Sequence, residues 1–210
     1  MENKNYIISI EKSALAGLPV TTYTGAITLI DTEDKATAAI EELEHEKIVG
    51  FDTETRPSFR KGKLHNVALM QISGSSRCYL FRLNKIGICP ALKGFLENPG
   101  IIKVGLSLHD DFSVMRRSCE INPKGFVDLQ QLVKEYEIND ISLQKIYAII
   151  FGEKISKSQR LTNWEAETLT PPQQAYAALD AWACLRIYNY LKNGLFVPRL
   201  SPYRHLPAIV

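Results

Sequence analysis

The run TPPQQAYAALDAWACLRIYNYLKNG, residues 170 to 194, constrains the fold more than any other stretch. Thr170 can cap a helix, Pro171 suits its first position, and Gln173 completes a capping box. Gly194 supplies a stop, so the spacing predicts a helix to about Asn193. Ala175, Ala178, Leu179, Trp182, Ala183, Leu185, Ile187 and Leu191 make it strongly apolar, and such a helix must be buried. In its middle stands Asp180, which is costly among these neighbours unless it is paired or liganded. Tyr176 lies four positions earlier, one turn away on the same face. Taken alone, Tyr176 reads as a core aromatic and Asp180 as half of an ion pair. Together they put a phenol and a carboxylate on one side of a buried helix.

Strands precede this helix. GAITLI (25–30), KIVGFDTE (47–54), VALMQIS (67–73) and RCYLFRL (77–83) carry the apolar runs, and the last three read as an antiparallel meander. IIKVGL (101–106) is one more strand. Asp31 or Thr32 can cap a helix with Ala36, Ala39, Ile40 and Leu43 on one face. Further helices are expected around Phe112–Arg117, Leu129–Tyr136 and Leu143–Phe151. The pattern is α/β, a mixed sheet flanked by helices. At 210 residues one domain is expected, over 25–193. Residues 1–24 read as an N-terminal extension, and 194–210, with three prolines, as a tail extended on the surface.

A net charge of +2 is too mild to predict nucleic-acid binding by itself, so any such binding needs local basic patches. Cys78, Cys89, Cys119 and Cys184 form no C-x-x-C pair and no zinc spacing; scattered thiols fit a reducing cytosol. No stretch reaches the ~18 apolar residues of a membrane span. The expectation is a soluble, cytoplasmic protein without a membrane partner.

Asp52 and Glu54 end the strand that begins KIVGF. Alternate strand residues project to one side, so both carboxylates point together. Close like charges resist ionisation, and a divalent cation removes that conflict. Oxygen ligands favour Mg²⁺ or Mn²⁺ over zinc. Two solvated acids at a strand end remain an open alternative for so common a triplet. Asp110 and Asp111 follow IIKVGL and open a helix, where acids favour the macrodipole without any metal.

In this order, GFDTET, VGLSLHDDF and YAALD resemble the three motifs of the DEDD superfamily of 3′–5′ exonucleases. The nearest branch looks like the tyrosine type (DEDDy), which includes ribonuclease D and the Werner-syndrome exonuclease domain. The histidine branch has a His five residues before its last Asp, where this chain has Ala175. VALMQIS, FVDLQ, SLQKIYAIIFG and RLTNWEAETLTPPQQAYAALDA also look like the family, so the likeness spans about residues 25–193. It implies a ribonuclease H-like fold. It implies that Asp52, Glu54, Asp111 and Asp180 hold two divalent ions, Mg²⁺ or Mn²⁺, and that Tyr176 positions the attacking water. Asp111 lies six residues after Gly105, as in that pattern; Asp110 is one slot early and is kept as a fallback. The implied reaction hydrolyses phosphodiester bonds at the 3′ end of DNA or RNA by a two-metal mechanism, releasing nucleoside 5′-monophosphates, with no nucleotide cofactor.

Arg56, Arg60, Lys61, Lys63 and His65 follow the strand acids, with Phe59 among them. The cluster can hold the phosphates of a single-stranded or 3′-ended nucleic acid, with Phe59 stacked on a base. A solvated loop fits equally well. Lys154, Lys157 and Arg160 can line the same groove, and Trp164 reads as a packing residue. His109 can touch substrate or merely enter its helix; His45 and His205 read as surface residues. Two alternatives stand beside the exonuclease: an inactive nucleic-acid-binding module of the same fold, and a nuclease restricted to short oligonucleotides. No motif specifies 2′-hydroxyl contacts, so DNA and RNA are not distinguished.

Overall fold

The computed structural model describes residues 6–58 and 65–207. Two short strands, β1 (Ile7–Ile8) and β2 (Val20–Thr21), flank a short helix, α1 (Lys12–Ala16). Next come β3 (Ala26–Ile30) and α2 (Glu33–Leu43). Thr32 is the cap of α2, accepting from the Lys35 amide at 3.3 Å, while Asp31 pairs with the Lys35 ammonium. The meander follows as β4 (Ile48–Thr55), β5 (Val67–Ser73) and β6 (Arg77–Phe81). After it lie α3 (Leu83–Ile86), α4 (Pro90–Glu97), β7 (Ile102–Gly105) and α5 (Leu108–Met115). Then come β8 (Phe126–Asp128), α6 (Leu129–Leu132) with a 3₁₀ turn at Val133–Tyr136, α7 (Leu143–Phe151) and β9 (Lys154–Ile155). The long helix α8 (Pro171–Lys192) and a last short strand, β10 (Arg204–His205), complete the chain.

Six strands form one mixed sheet in the order β3-β6-β5-β4-β7-β8. The meander pairs antiparallel, as its short loops dictate, while β3, β7 and β8 add in parallel. β8 has only three residues, too few for an alternating pattern to show in the sequence. One face, carrying Val49, Phe51, Met70 and Ile72, packs on α2 and α4. The other packs on α8, through Leu69, Cys78 and Leu80 against Ala177, Ala178 and Ala181. The predicted α8 is present with its full capping box: Thr170 accepts from the Gln173 amide, and Gln173 accepts in return from the Thr170 amide. Gly194 ends it at φ 69°, a left-handed conformation that suits glycine.

Short strands tie the chain ends to the rest of the domain. β1 and β10 pair antiparallel, with Ile8 opposite Arg204, and β2 pairs parallel with β9. Ile8 and Ile10 are fully buried in the cluster around α7 and α8. The Ile10 amide donates to Asp140 at 2.8 Å, and Arg204 Nε meets Glu137 at 2.6 Å. The tail expected to lie extended on the surface is therefore tied down by a strand pair and an ion pair. Two-residue strands carry too little periodicity to be read from sequence, and their partners are more than 130 residues away. Among the described residues no helix is long and apolar enough to cross a membrane.

Candidate active site

Strand β4 turns Val49 and Phe51 towards α2 and α4, so Gly50, Asp52 and Glu54 face α8. α8 crosses this face at Gly50. A Cβ at that position would lie 1.9 Å from the Ala181 carbonyl oxygen, so only glycine admits the helix this closely. The approach sets Asp180, the residue before Ala181, next to Asp52. One carboxylate oxygen each from Asp52, Glu54 and Asp180 lie within 4.8 Å of one another. Asp180 is 7% exposed, and Asp52 and Glu54 are partly buried.

Asp111 comes from the first turn of α5. Thr53 Oγ1 donates to Asp111 Oδ1 at 2.5 Å, which ties this acid to the strand between Asp52 and Glu54. Asp110 is exposed and accepts from Ser107 Oγ at 3.2 Å; Asp111 is not one of the three acids that meet within 4.8 Å, but of the pair it is the one whose charge reaches Asp52 and Glu54. The start of α5 is held by Asp128, at the end of β8. Its carboxylate accepts from the Ser107 and Leu108 amides at 3.2 and 3.0 Å and from the Gln130 amide at 2.8 Å. Thr53 and Asp128 had no assigned role in the sequence reading. The signal for Asp128 was an acid placed to cap α6 in FVDLQ; for Thr53 there was none.

Electrostatics set these acids apart. Burial, then the charges of Asp180, Glu54 and Asp111, hold Asp52 well above the ordinary carboxylate range. Burial with Asp180 and Asp111 pushes Glu54 up to about 9, against the pull of Arg160. Asp180 rises to about 7 through burial, opposed by a hydrogen bond from Tyr176 and by the charge of Lys157. Asp111 rises to about 6 for the same first reason, opposed by the Thr53 hydrogen bond. Four such carboxylates cannot all ionise near neutral pH without a compensating cation. The donor set is oxygen only, which fits a hard divalent ion.

Tyr176 sits one turn from Asp180 in α8, and its phenol is driven upward in pKa by burial and by the charges of Asp180 and Glu54. Its ring lies 6.1 Å from that of Trp164, tilted by 31°. Trp164 is fully buried and so acts in packing, against the Tyr176 ring. Of the first basic group, Arg56 and His65 are among the described residues. Arg56 Nη1 and His65 Nδ1 each meet Glu165 at 3.2 Å, which ties them to the segment before α8. Phe59, Arg60, Lys61 and Lys63 lie outside the described residues. His109 is exposed at the start of α5. In the second basic group, the charges of Lys157 and Arg160 reach Asp180 and Glu54. From Lys157 a cleft of about 500 Å³ runs past Lys12, Lys145, Lys154, Ser142 and Gln144. Lys145 there pairs with Asp140 at 2.6 Å, and the Lys154 ammonium donates to the Ala16 carbonyl.

A family model described as 3′–5′ exonuclease matches residues 27–195. The bifunctional 3′–5′ exonuclease/ATP-dependent helicase WRN of Mus musculus is 36% identical over 152 residues, covering 70% of this chain and 11% of that protein. The EXO domain of Aedes aegypti Nibbler superposes with a TM-score of 0.74 at 22% identity, covering 86% of this chain and 96% of that one. Escherichia coli RNase D superposes with a TM-score of 0.71 at 24% identity, covering 80% and 44%. These two superpositions establish the ribonuclease H-like fold. The chain spans from about a tenth to about half the length of the curated relatives it matches.

Proposed function

This chain belongs to the 3′–5′ exonuclease family, and from that premise we propose that it hydrolyses phosphodiester bonds from the 3′ end of a nucleic acid strand, releasing nucleoside 5′-monophosphates. The observation that carries the reading is the convergence of Asp52, Glu54 and Asp180 oxygens within 4.8 Å, with the charge of Asp111 reaching Asp52 and Glu54. Asp52, Glu54, Asp180 and Asp111 would hold two divalent ions, Mg²⁺ or Mn²⁺. Such ions, when bound, supply a water activated near neutral pH and charge neutralisation at the leaving 3′ oxygen. Tyr176 orients the attacking water through its hydroxyl. Burial, then the charges of Asp180 and Glu54, push its pKa up, so the phenol stays protonated, the form suited to orienting a water by hydrogen bond. The Tyr-x-x-x-Asp spacing of Tyr176 and Asp180 supports the tyrosine-type branch. Lys157 and Arg160 hold the phosphates nearest the acids, and the lysine-lined cleft receives the strand behind them.

A strand labelled at its 5′ end tests the reading. With Mg²⁺ or Mn²⁺ it should shorten stepwise, and a 3′-phosphate or Asp52→Ala should block the ladder. Tight binding without cleavage in either metal would identify an inactive binding module instead. Cleavage confined to oligomers of a few nucleotides would identify a short-substrate nuclease. Matched DNA and RNA strands in the same assay decide the sugar preference.

A further inference from the structure

Gln71 is fully buried on β5, and neither its Oε1 nor its Nε2 has a hydrogen-bond partner among the described residues. Leaving a buried polar group unpaired is costly, and a methionine of similar size would avoid that cost. An amide at this position therefore needs a partner. In the β4–β5 ladder Gln71 stands directly opposite Asp52. Opposed residues of an antiparallel pair project from the same face, with Cβ atoms about 4.5–5.5 Å apart. A glutamine side chain spans that gap to an aspartate by changing rotamer. On its other side Gln71 faces Leu80, and Leu69 lies two residues before it; both belong to the apolar cluster under α8 with Ala178 and Ala181. The polar side chain it directly opposes is Asp52.

We propose that Gln71 is a positioning residue for the metal site: its Nε2–H donates to the Asp52 carboxylate when the acid cluster holds a divalent cation, and so fixes which oxygen faces the ion. The inference rests on the metal-site reading above. Partners that orient metal ligands in this way typically change affinity by about 10- to 100-fold when removed.

Mn²⁺ affinity, read by electron paramagnetic resonance of the free ion, tests both readings on the full chain. Wild type should bind, Asp52→Ala should lose binding, and Gln71→Met should bind about 10-fold more weakly. In metal-free buffer Gln71→Met should melt no lower than wild type, because it removes an unpaired amide. Equal Mn²⁺ affinity in Gln71→Met and wild type would overturn this inference and leave the metal site standing. No Mn²⁺ binding by wild type would overturn the metal site and this inference with it. A second measurement needs no core substitution. In ¹⁵N-labelled wild type, one side-chain amide proton of Gln71, assigned through its own backbone, should move downfield as Mg²⁺ is added, with the midpoint of binding. A Gln71 amide that stays in place as Mg²⁺ saturates would also overturn the inference.

Discussion

Two of the places where this molecule buries charge treat it in opposite ways. Lys103, on β7, is fully buried, and its ammonium donates to the Phe95 and Asn98 carbonyls at 3.2 and 2.5 Å, at the C-terminal end of α4. The rings of Phe95 and Phe126 lie 5.6 and 5.1 Å from the same ammonium. Each partner is supplied by the fold, and a cation at a helix C-terminus is favoured. The acids of β4, α5 and α8 lie on the opposite side of this balance. Their neighbours are mostly each other, and the helpers within the fold are the Thr53 and Tyr176 hydroxyls and the more distant Lys157 and Arg160. A charge buried for stability brings its partners with it. Charges buried for chemistry are left to be completed from outside.

The sharpest break of that contrast is Asp52→Ala. It should lower the exonuclease rate by at least ~1000-fold, because several kcal/mol of metal-borne charge stabilisation are lost. The same change should raise the melting temperature of the metal-free chain, since one of the mutually repelling acids is gone. A variant that loses activity and also melts lower would count against the cluster being strained. Gly50→Ala comes next. Its Cβ would collide with the Ala181 carbonyl, so α8 must move away from β4. Overpacking of this kind costs about 1–3 kcal/mol, and a shift of ~1 Å in Asp180 should cost roughly 100-fold in rate. Thermal melts and the labelled-strand assay on one preparation check both numbers.

Tyr176→Phe keeps the ring against Trp164 and removes the hydroxyl. We expect kcat to fall about 100-fold with little change in KM, because a group that orients water acts in the transition state. An equal rise in KM would assign the hydroxyl to substrate binding instead. Lys103→Met is the control at the other site. It should cost about 1–2 kcal/mol in stability by taking a partner from the Asn98 carbonyl, and leave Mn²⁺ affinity unchanged.

The smallest effect is a pH dependence. Glu54 and Asp180 titrate in the fold at about 9 and about 7, above the ordinary 4.5 and 3.8. The unfolded chain gives up these protons first. Stability of the metal-free chain is therefore full at acid pH and falls as pH rises towards 9. Lys103, lowered from 10.5 to about 8, runs the other way: its penalty is complete below pH 8 and is relieved above it. Melts in chelator between pH 5 and 8 should thus decline, and saturating Mg²⁺ should remove the decline. A flat profile in chelator would show that the acids repel less than their placement implies.

Much of this was legible in the chain because the signals are local. The capping box at Thr170 and Gln173 and the glycine at 194 fixed α8 to within a residue or two. The meander followed from three apolar runs and short loops. Asp52 and Glu54 share a side because a strand repeats every two residues, and Tyr176 and Asp180 share one because a helix repeats every 3.6. What was not legible depends on partners far along the chain. Arg56 and His65 looked like free cations until Glu165, about a hundred residues later, was seen to engage both. Residues 1–24 read as an N-terminal extension, and nothing local in them announces that Ile8 and Ile10 are buried in the core.

The sequence by itself therefore determined which side chains point together within each element, since backbone geometry repeats over a few residues and leaves its period in the residue order. Only the tertiary structure decided that three elements meet at one place. Gly50 lets α8 approach β4 closely enough to set Asp180 beside Asp52, and Asp128 fixes the start of α5 so that Asp111 reaches Thr53. Those distances come from packing between segments, and packing leaves no period in the sequence to read.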